Sequence, residues 1–295
     1  MIPLVLVTGF LGSGKTTLLE NLANRYRDRR IVWLVNEFSA RDMDASRLAG
    51  KAKDVLAIAG GSIFCRCKAA EFIDLLRDLP EDFHPESVVI EASGMADPLV
   101  AAKLLRESGL DRVYGIRTVV AIVDPGSFLK LLHTLPNIRA QIEAATLVLI
   151  NKIDLHPAER INETETAIRA IHPTVPLLRT CRSALEVDLF AGHPHLEERG
   201  ELAPCVDPHF TKFEIKLTNE VDLDQLREAV QSAGAEIYRI KGIARSQGNL
   251  YRLDYSASGW QIEEVAESQA IALVLIGRGP ESKALRHLVE TISAR

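Results

Sequence analysis

Short apolar runs alternate with amphipathic segments through most of this chain. Such runs are typical of strands buried on both faces of a parallel sheet, and they predict strands at 2–8, 30–36, 55–59, 87–93, 117–124, 146–151 and 175–180. Apolar residues at helical spacing predict the intervening helices, near 15–27, 69–79, 97–108, 125–135, 137–145 and 157–171. The alternation predicts an α/β fold, a parallel sheet with helices on both faces.

The pattern changes near residue 190. The stretch at 191–208 is rich in proline, glycine and charged residues, and this composition predicts a linker. Beyond it, apolar residues alternate at Phe213, Ile215 and Leu217, as in a half-buried strand. Further strands are expected at 237–244, 249–256, 260–266 and 271–277, and helices at 221–233 and 282–292. We therefore expect a first domain at 1–190 and a smaller α+β domain at 209–295.

Length and charge narrow the class of protein. The chain has 295 residues, which suits two domains, with 35 basic and 40 acidic residues and a net charge of −5. This balance gives no overall basic field, so neither nucleic acid nor a membrane surface is expected as a partner. No apolar stretch reaches the roughly 18 residues that span a bilayer. The first strand also starts too early to leave room for a signal peptide, so a cytoplasmic location is expected.

The strongest chemical signal directly follows the first predicted strand. Residues 9–16 read GFLGSGKT, which fits the phosphate-binding pattern G-x-x-x-x-G-K-[ST] between a strand and a helix. Its glycines let the backbone curl around phosphates at a helix N-terminus, where anions are stabilised. Lys15 reaches the terminal phosphates, and the Thr16 hydroxyl can ligate Mg²⁺. The expected nucleotide contacts are Gly9, Gly12, Ser13, Gly14, Lys15, Thr16 and Thr17.

A second motif at the end of the strand at 146–151 indicates the base. Asn151, Lys152, Ile153 and Asp154 form N-K-x-D, the pattern of guanine-specific proteins. A carboxylate at Asp154 accepts hydrogen bonds from guanine N1–H and the N2 amine, and adenine has neither donor. Asn151 is expected to bond the other edge of the ring, and the Lys152 stem to lie along its face. Both motifs fall at carboxyl ends of strands, where open α/β sheets bind ligands, so GTP and GDP are predicted ligands.

Two segments between these motifs are expected to sense the γ-phosphate. Glu37 follows one predicted strand, and Glu91 and Gly94 follow another. Glu91 is placed to hold Mg²⁺ through water or to orient the attacking water, and the Gly94 N–H to contact the γ-phosphate. The alternatives are a carboxylate beside a helix start for Glu91 and a solvated loop acid for Glu37.

Taken together, these segments resemble the CobW-type GTPases, relatives of the GTPases that help load nickel into urease and hydrogenase. The matching residues are PLVLVTGFLGSGKTTLL at 3–19, NEF at 36–38, IEASGMADP at 90–98 and NKIDL at 151–155. In the second domain, YRIKGI at 238–243 is similar to the R-x-K-G segment of the family's C-terminal domain, and LIG at 275–277 to its last strand. The resemblance implies a slow Mg²⁺-dependent GTPase that is a metallochaperone or cofactor-insertion factor, often dimeric, with a metalloprotein client.

The cysteines depart from the family's pattern. Its members usually carry C-x-C-C after a glycine, whereas GGSIFCRC at 60–67 keeps Cys65 and adds Cys67. Two thiolates are too few for zinc, which takes three or four protein ligands, so Glu37, a histidine or a second subunit would complete the shell. The alternatives are buried structural thiols or a redox pair. Cys181 and Cys205 are expected to be packing residues.

The sequence thus predicts a GTPase whose cargo is Zn²⁺ or another transition metal. Catalysis is assigned to Lys15, Thr16, Glu91 and Gly94. An arginine that stabilises the transition state cannot be assigned, and a dimer partner or the chain itself would supply it, with candidates Arg41, Arg66 and Arg117. One rival is a GTP-regulated switch that binds a partner through its second domain without metal delivery. Another is a P-loop kinase, which N-K-x-D argues against because kinases mostly use ATP.

Overall fold

A computed structural model of the chain describes residues 1–37, 48–59, 64, 68–92, 94, 97–192, 210–256, 258–266, 271–279 and 283–293. The described residues up to 192 form one unit, and those from 210 onward form a second. Most of the predicted linker at 191–208 lies outside the described residues, so the domain boundaries 1–190 and 209–295 stay a prediction.

The first unit alternates strands and helices as its apolar pattern predicts. Its strands are β1 (Ile2–Thr8), β2 (Ile31–Glu37), β3 (Asp54–Ala59), β4 (Ser87–Glu91), β5 (Tyr114–Val123), β6 (Leu147–Ile150) and β7 (Leu177–Arg179). Its helices, numbered along the described residues, are α1 (Lys15–Arg25), α2 (Ala69–Phe83), α3 (Leu99–Glu107), α4 (Phe128–Thr134), α5 (Pro136–Ala144) and α6 (Ala158–Ile171). Short 3₁₀ turns lie at Leu110–Arg112 and Ile153–Leu155.

The seven strands form one parallel sheet in the order β3-β2-β4-β1-β5-β6-β7. Successive residues of β1 face opposite sides of this sheet: Leu4 and Leu6 pack with α2 and α3, whereas Val5 and Val7 pack with α1. Burying each such side chain contributes roughly 1.5–3 kcal/mol. Because β1 lies between β4 and β5, with β6 next, the residues that follow these four strands meet at one edge.

Helix α2 contains Pro80, which a helix interior normally excludes because proline has no N–H to donate. The orphaned acceptor would be the carbonyl of Leu76, four residues earlier. The hydroxyl of Tyr114 on β5 donates to that oxygen at 2.7 Å. Tyr114 is fully buried, and desolvation raises its pKa to about 12, so the hydroxyl keeps its proton. A side chain from the sheet thus replaces the missing backbone donor.

The second unit is an antiparallel sheet with two helices. Its strands are β8 (Phe210–Lys216), β9 (Ile237–Ser246), β10 (Asn249–Ser256), β11 (Gly259–Val265) and β12 (Ala272–Arg278), in the order β11-β10-β9-β12-β8. Its helices are α7 (Leu223–Ala233) and α8 (Lys283–Ser293), and a 3₁₀ turn lies at Gly234–Glu236. Asp222 caps α7 by accepting from the N–H groups of Asp224 and Gln225. Both helices pack on the sheet through one apolar cluster.

The predicted fold class is confirmed: a parallel sheet with helices, followed by a smaller α+β unit. The differences are at element ends. Strand β8 begins at Phe210, three residues before the predicted alternation, because the position that precedes Phe213 and Ile215 on the same face is occupied by the polar residue Thr211. In the part of the chain that the structure describes, no helix is both long and apolar enough to cross a membrane.

Candidate functional site

The phosphate-binding loop connects β1 to α1 as the motif predicts. Its backbone needs glycine, since Gly9, Gly12 and Gly14 have φ values of 142°, 78° and 116°. Gly14 is the N-cap of α1 and has no side chain that could occupy the first turn of the helix. The uncapped N–H groups of that turn are therefore suited to an anion. The buried hydroxyl of Ser13, next to Gly9, also makes no hydrogen bond within the described residues.

Lys15 is buried inside this loop. Its Nζ donates to the carbonyl oxygens of Gly9 at 3.0 Å and Phe10 at 3.4 Å, and lies 3.9 Å from Oε1 of Glu91. Glu91 is the last residue of β4, paired in register with Val7 of β1, and is also buried. The structure thus brings the predicted phosphate-binding lysine and the predicted catalytic carboxylate together at the carboxyl edge of the sheet. Thr16 and Thr17 are half-buried in the first turn of α1.

Gly94 lies directly against the phosphate-binding loop. A Cβ at this position would be 3.0 Å from the backbone nitrogen of Leu11 and 3.1 Å from the carbonyl oxygen of Gly9. Because both neighbours are backbone atoms, neither can turn aside as a flexible side chain would. The close approach therefore favours glycine here, at the position predicted to sense the γ-phosphate.

Asn151 joins the two nucleotide motifs. It is 1% exposed, and its Nδ2 donates to the carbonyl of Ser13 at 2.8 Å and to the Ser183 hydroxyl at 2.9 Å. Its Oδ1 accepts from the Ser183 N–H at 2.8 Å. The Ser183 hydroxyl in turn donates to the Gly14 carbonyl at 3.0 Å. The amide expected to contact the base edge thus forms a tie between the phosphate-binding loop and the segment after β7.

This tie also explains why glycine is required at Gly14. A Cβ there would lie 2.3 Å from Nδ2 of Asn151 and 2.7 Å from the Ser183 hydroxyl. Sequence reasoning missed Ser183. Its position along the chain could have indicated it, because Ser183 follows β7 and therefore lies at the same edge of the sheet as the two motifs.

Lys152 is held by residues that sequence reasoning also missed. Its Nζ donates to Oδ2 of Asp124 at 2.9 Å, and Nε2 of His156 lies 3.0 Å from the other carboxylate oxygen. The Gly126 N–H donates to that second oxygen at 2.8 Å. Asp124 is buried and directly follows β5. This contact fixes the end of the Lys152 side chain, whose backbone has a left-handed φ of 60°.

Asp154 is exposed within the 3₁₀ turn Ile153–Leu155, where a base can reach it. A hydrogen bond from the Cys181 thiol lowers the pKa of its carboxyl, and the same bond raises the pKa of Cys181. Cys181 is only half-buried. Cys181 thus does more than the packing expected of it, because its thiol also acts on the predicted base-recognition carboxylate.

The predicted transition-metal site lies outside the described residues. This holds for Cys65, Cys67 and the side chain of Glu37, as it does for Cys205. Among the residues that the structure describes, no group of three or more His, Cys, Asp or Glu side chains could hold a metal ion.

The candidate arginines are only partly placed. Arg41 and Arg66 lie outside the described residues. Arg117 lies in the amino-terminal part of β5, where β5 pairs with Leu4 and Val5 of β1, before the Thr8–Ala121 pair at the carboxyl edge. Four residues of strand separate it from that edge by about 13 Å. Its proposed role as the arginine of this site is therefore not supported.

Comparisons with known proteins match both units. Residues 3–179 match the family model described as CobW/HypB/UreG, nucleotide-binding domain, and residues 210–293 match that of the cobalamin synthesis protein cobW C-terminal domain. The zinc chaperone CobW of a Sinorhizobium species is 29% identical over 333 aligned positions, which cover 94% of this chain and 92% of the relative. The zinc chaperone YjiA of Escherichia coli is 30% identical over 179 positions, 58% of this chain and 56% of the relative.

A solved structure agrees with the fold. The Zn(II)-bound YjiA GTPase from E. coli has a TM-score of 0.50 at 20% identity, covering 99% of this chain and 98% of that one. These matches confirm the resemblance drawn from the sequence motifs.

Proposed function

Because the chain belongs to the CobW/HypB/UreG family, we propose that it is a GTP-dependent metallochaperone that hydrolyses GTP with Mg²⁺. The nucleotide part of this proposal rests on the hydrogen bonds of Asn151, which join a phosphate-binding loop to a guanine-recognition motif. Relatives named zinc chaperones, one matched over nearly its full length, support the metal part and favour it over a switch without metal delivery.

The nucleotide contacts follow from groups already in place. The Lys15 ammonium now bonded to loop carbonyls would exchange them for β,γ-phosphate oxygens, where its charge stabilises the transition state. The orphaned Ser13 hydroxyl and the uncapped first turn of α1 would bind the remaining phosphate oxygens. Asp154 would read guanine, with the Lys152 stem along the face of the ring.

The Thr16 hydroxyl and the Glu91 carboxylate are oxygen ligands of the kind that Mg²⁺ prefers, and they fit the ion with Glu91 acting through water. Bound there, Mg²⁺ would supply charge neutralisation at the β- and γ-phosphates. If Glu91 does not hold Mg²⁺, it would instead orient the attacking water. The Gly94 N–H would contact the γ-phosphate.

The cargo site is proposed from sequence. Cys65 and Cys67 offer two thiolates, and Glu37 at the end of β2 or a second copy of the chain would complete a zinc shell of three or four ligands. Since Glu37 belongs to the γ-phosphate segment, metal and nucleotide would be coupled, and each would change the affinity of the other by the same factor.

The nucleotide part is tested by equilibrium titration of the full chain with GDP, GTP and ATP. Guanine nucleotides should bind far more tightly than ATP; Asp154→Ala should abolish that preference, and Lys15→Ala should weaken every triphosphate. Lys53→Ala, which changes an exposed lysine of the same unit, is the matched control. Comparable GTP and ATP affinities in the unmodified protein would refute guanine recognition.

Hydrolysis is tested by phosphate release with and without Mg²⁺. The rate should be slow without a partner, because GTPases lacking a positioned arginine run orders of magnitude below activated ones. Glu91→Gln should slow it further, and Glu86→Gln, an exposed acid just before the same strand, should not. An unchanged rate in Glu91→Gln would remove that carboxylate from the mechanism.

The metal part is tested by Zn²⁺ titration of the reduced protein bound to GDP or to a non-hydrolysable GTP analogue. A Cys65→Ser/Cys67→Ser double variant should lose Zn²⁺ affinity, whereas Cys205→Ser should keep it. If the double variant binds Zn²⁺ as tightly as the unmodified chain, or the bound nucleotide does not change Zn²⁺ affinity, the results favour a GTP-regulated switch without metal delivery.

A further inference from the structure

A buried glutamine holds the loop that follows β4. Gln141 lies on α5 and is 3% exposed, and its Nε2 donates to the carbonyl oxygen of Gly94 at 3.1 Å. The two residues are 47 positions apart in the chain. A buried amide that bonds a loop carbonyl in this way restricts the position of the residue that carries the carbonyl, because breaking the bond leaves polar groups unsatisfied.

The other side of Gly94 is also constrained. Backbone atoms of Gly9 and Leu11 lie so close that even a Cβ at Gly94 would be 3.0–3.1 Å from them. Gly94 is therefore held between the phosphate-binding loop and α5. A nucleotide that displaces Gly94 would therefore lengthen or break its hydrogen bond to Gln141.

Helix α5 leads directly to the base-recognition motif. It ends at Ala144, β6 starts at Leu147, and Asn151 follows β6. Gln141 thus lies on the element that connects the predicted γ-phosphate sensor with the loop tie at Asn151. Its side chain hydrogen-bonds the predicted sensor residue Gly94 directly.

We propose that Gln141 is a positioning residue that orients Gly94 for the γ-phosphate and thereby sets the preference for GTP over GDP. The inference rests on the proposed function, in which the Gly94 N–H contacts that phosphate. GDP has no γ-phosphate and does not need Gly94, so losing the hydrogen bond affects the binding of GTP alone.

The test uses the full chain with Gln141→Met, which keeps the length of the side chain without its donor, and Gln141→Glu, which keeps its shape. Affinities for GDP and a non-hydrolysable GTP analogue are measured by equilibrium titration. The ratio of analogue to GDP affinity should fall about tenfold in Gln141→Met at neutral pH, the effect of one hydrogen bond to a buried carbonyl. Thr164→Val, which removes a buried hydroxyl within α6, should leave the ratio unchanged.

Gln141→Glu adds a readout that a purely structural role would not move. Its ionised carboxylate repels the Gly94 carbonyl, whereas the protonated carboxyl can donate to it. Burial raises the pKa of such an introduced acid. The ratio in this variant should therefore recover as the pH falls, while the ratios of Gln141→Met and the unmodified protein stay flat.

Three results would overturn the inference. In the first, both variants keep a ratio within twofold of the unmodified protein. In the second, the two affinities fall equally, which is the signature of a packing role. In the third, the ratio in Gln141→Glu does not change with pH. If the unmodified chain binds neither nucleotide, the proposed function fails and the inference fails with it.

Discussion

Replacing Asn151 with alanine should destabilise the first unit as well as weaken nucleotide binding. The change removes three hydrogen bonds, at 2.8, 2.9 and 2.8 Å, from a side chain that is 1% exposed. At roughly 1 kcal/mol each, their loss costs about 3 kcal/mol of unfolding free energy. For a unit of this size that corresponds to a fall in Tm of roughly 6–12 °C.

The chain offers a clean fluorescence assay for this prediction. It has two tryptophans, Trp33 in the core of the first unit and Trp260 on β11 of the second. In a Trp260→Phe background, urea unfolding followed by fluorescence reports the first unit alone. GDP affinity is measured on the same proteins by titration.

Asp154→Ala is the matched control, since it changes the same motif at an exposed position. It should abolish the guanine preference and leave the urea midpoint unchanged. Ser183→Ala should destabilise less than Asn151→Ala, and the two losses should not add, because both remove members of one hydrogen-bond network. If Asn151→Ala unfolds within about 0.5 kcal/mol of its background, the tie contributes little and Asn151 acts through the base alone.

Three further outcomes follow from single contacts. The Cys181 thiol lowers the pKa of Asp154, whose ionised form accepts hydrogen bonds from guanine, so Cys181→Ala should raise that pKa. The loss of GDP affinity on acidification should then begin at a higher pH, which GDP titrations across a pH series would show; an unchanged pH dependence would contradict the prediction. Asp124→Asn removes the charge that holds the lysine of N-K-x-D, and GDP affinity should fall roughly tenfold with guanine preference kept, as GDP and ADP titrations would show. Tyr114→Phe should lower the unfolding free energy measured in urea by about 1–3 kcal/mol. The loss should be smaller in a Pro80→Ala background, because alanine restores a backbone donor to the Leu76 carbonyl. Equal losses in both backgrounds would show that Tyr114 does not replace the donor that Pro80 lacks.

Much of this protein could be predicted from local patterns. The strands were predictable because residues buried on both sheet faces must be apolar over a continuous run, as in β1, β4 and β6. The phosphate-binding loop was predictable because its chemistry needs glycines, a lysine and a hydroxyl at fixed spacing within one turn of chain. The order of these motifs along the chain also predicted the family, which both family models confirm.

The contacts that make these motifs one site required the tertiary structure. Asn151 and Ser13 are 138 residues apart, and Lys152 and Asp124 are 28 apart, so no local spacing relates them. They meet because the strand order places β1, β4, β5 and β6 side by side, and periodicity within a strand carries no information on its neighbours. The same holds for Cys181 beside Asp154 and for Gln141 beneath Gly94. Sequence thus specifies which chemical groups the chain carries, whereas the pairing of strands determines which of them touch, since hydrogen bonds form only between groups that the fold brings within about 3 Å.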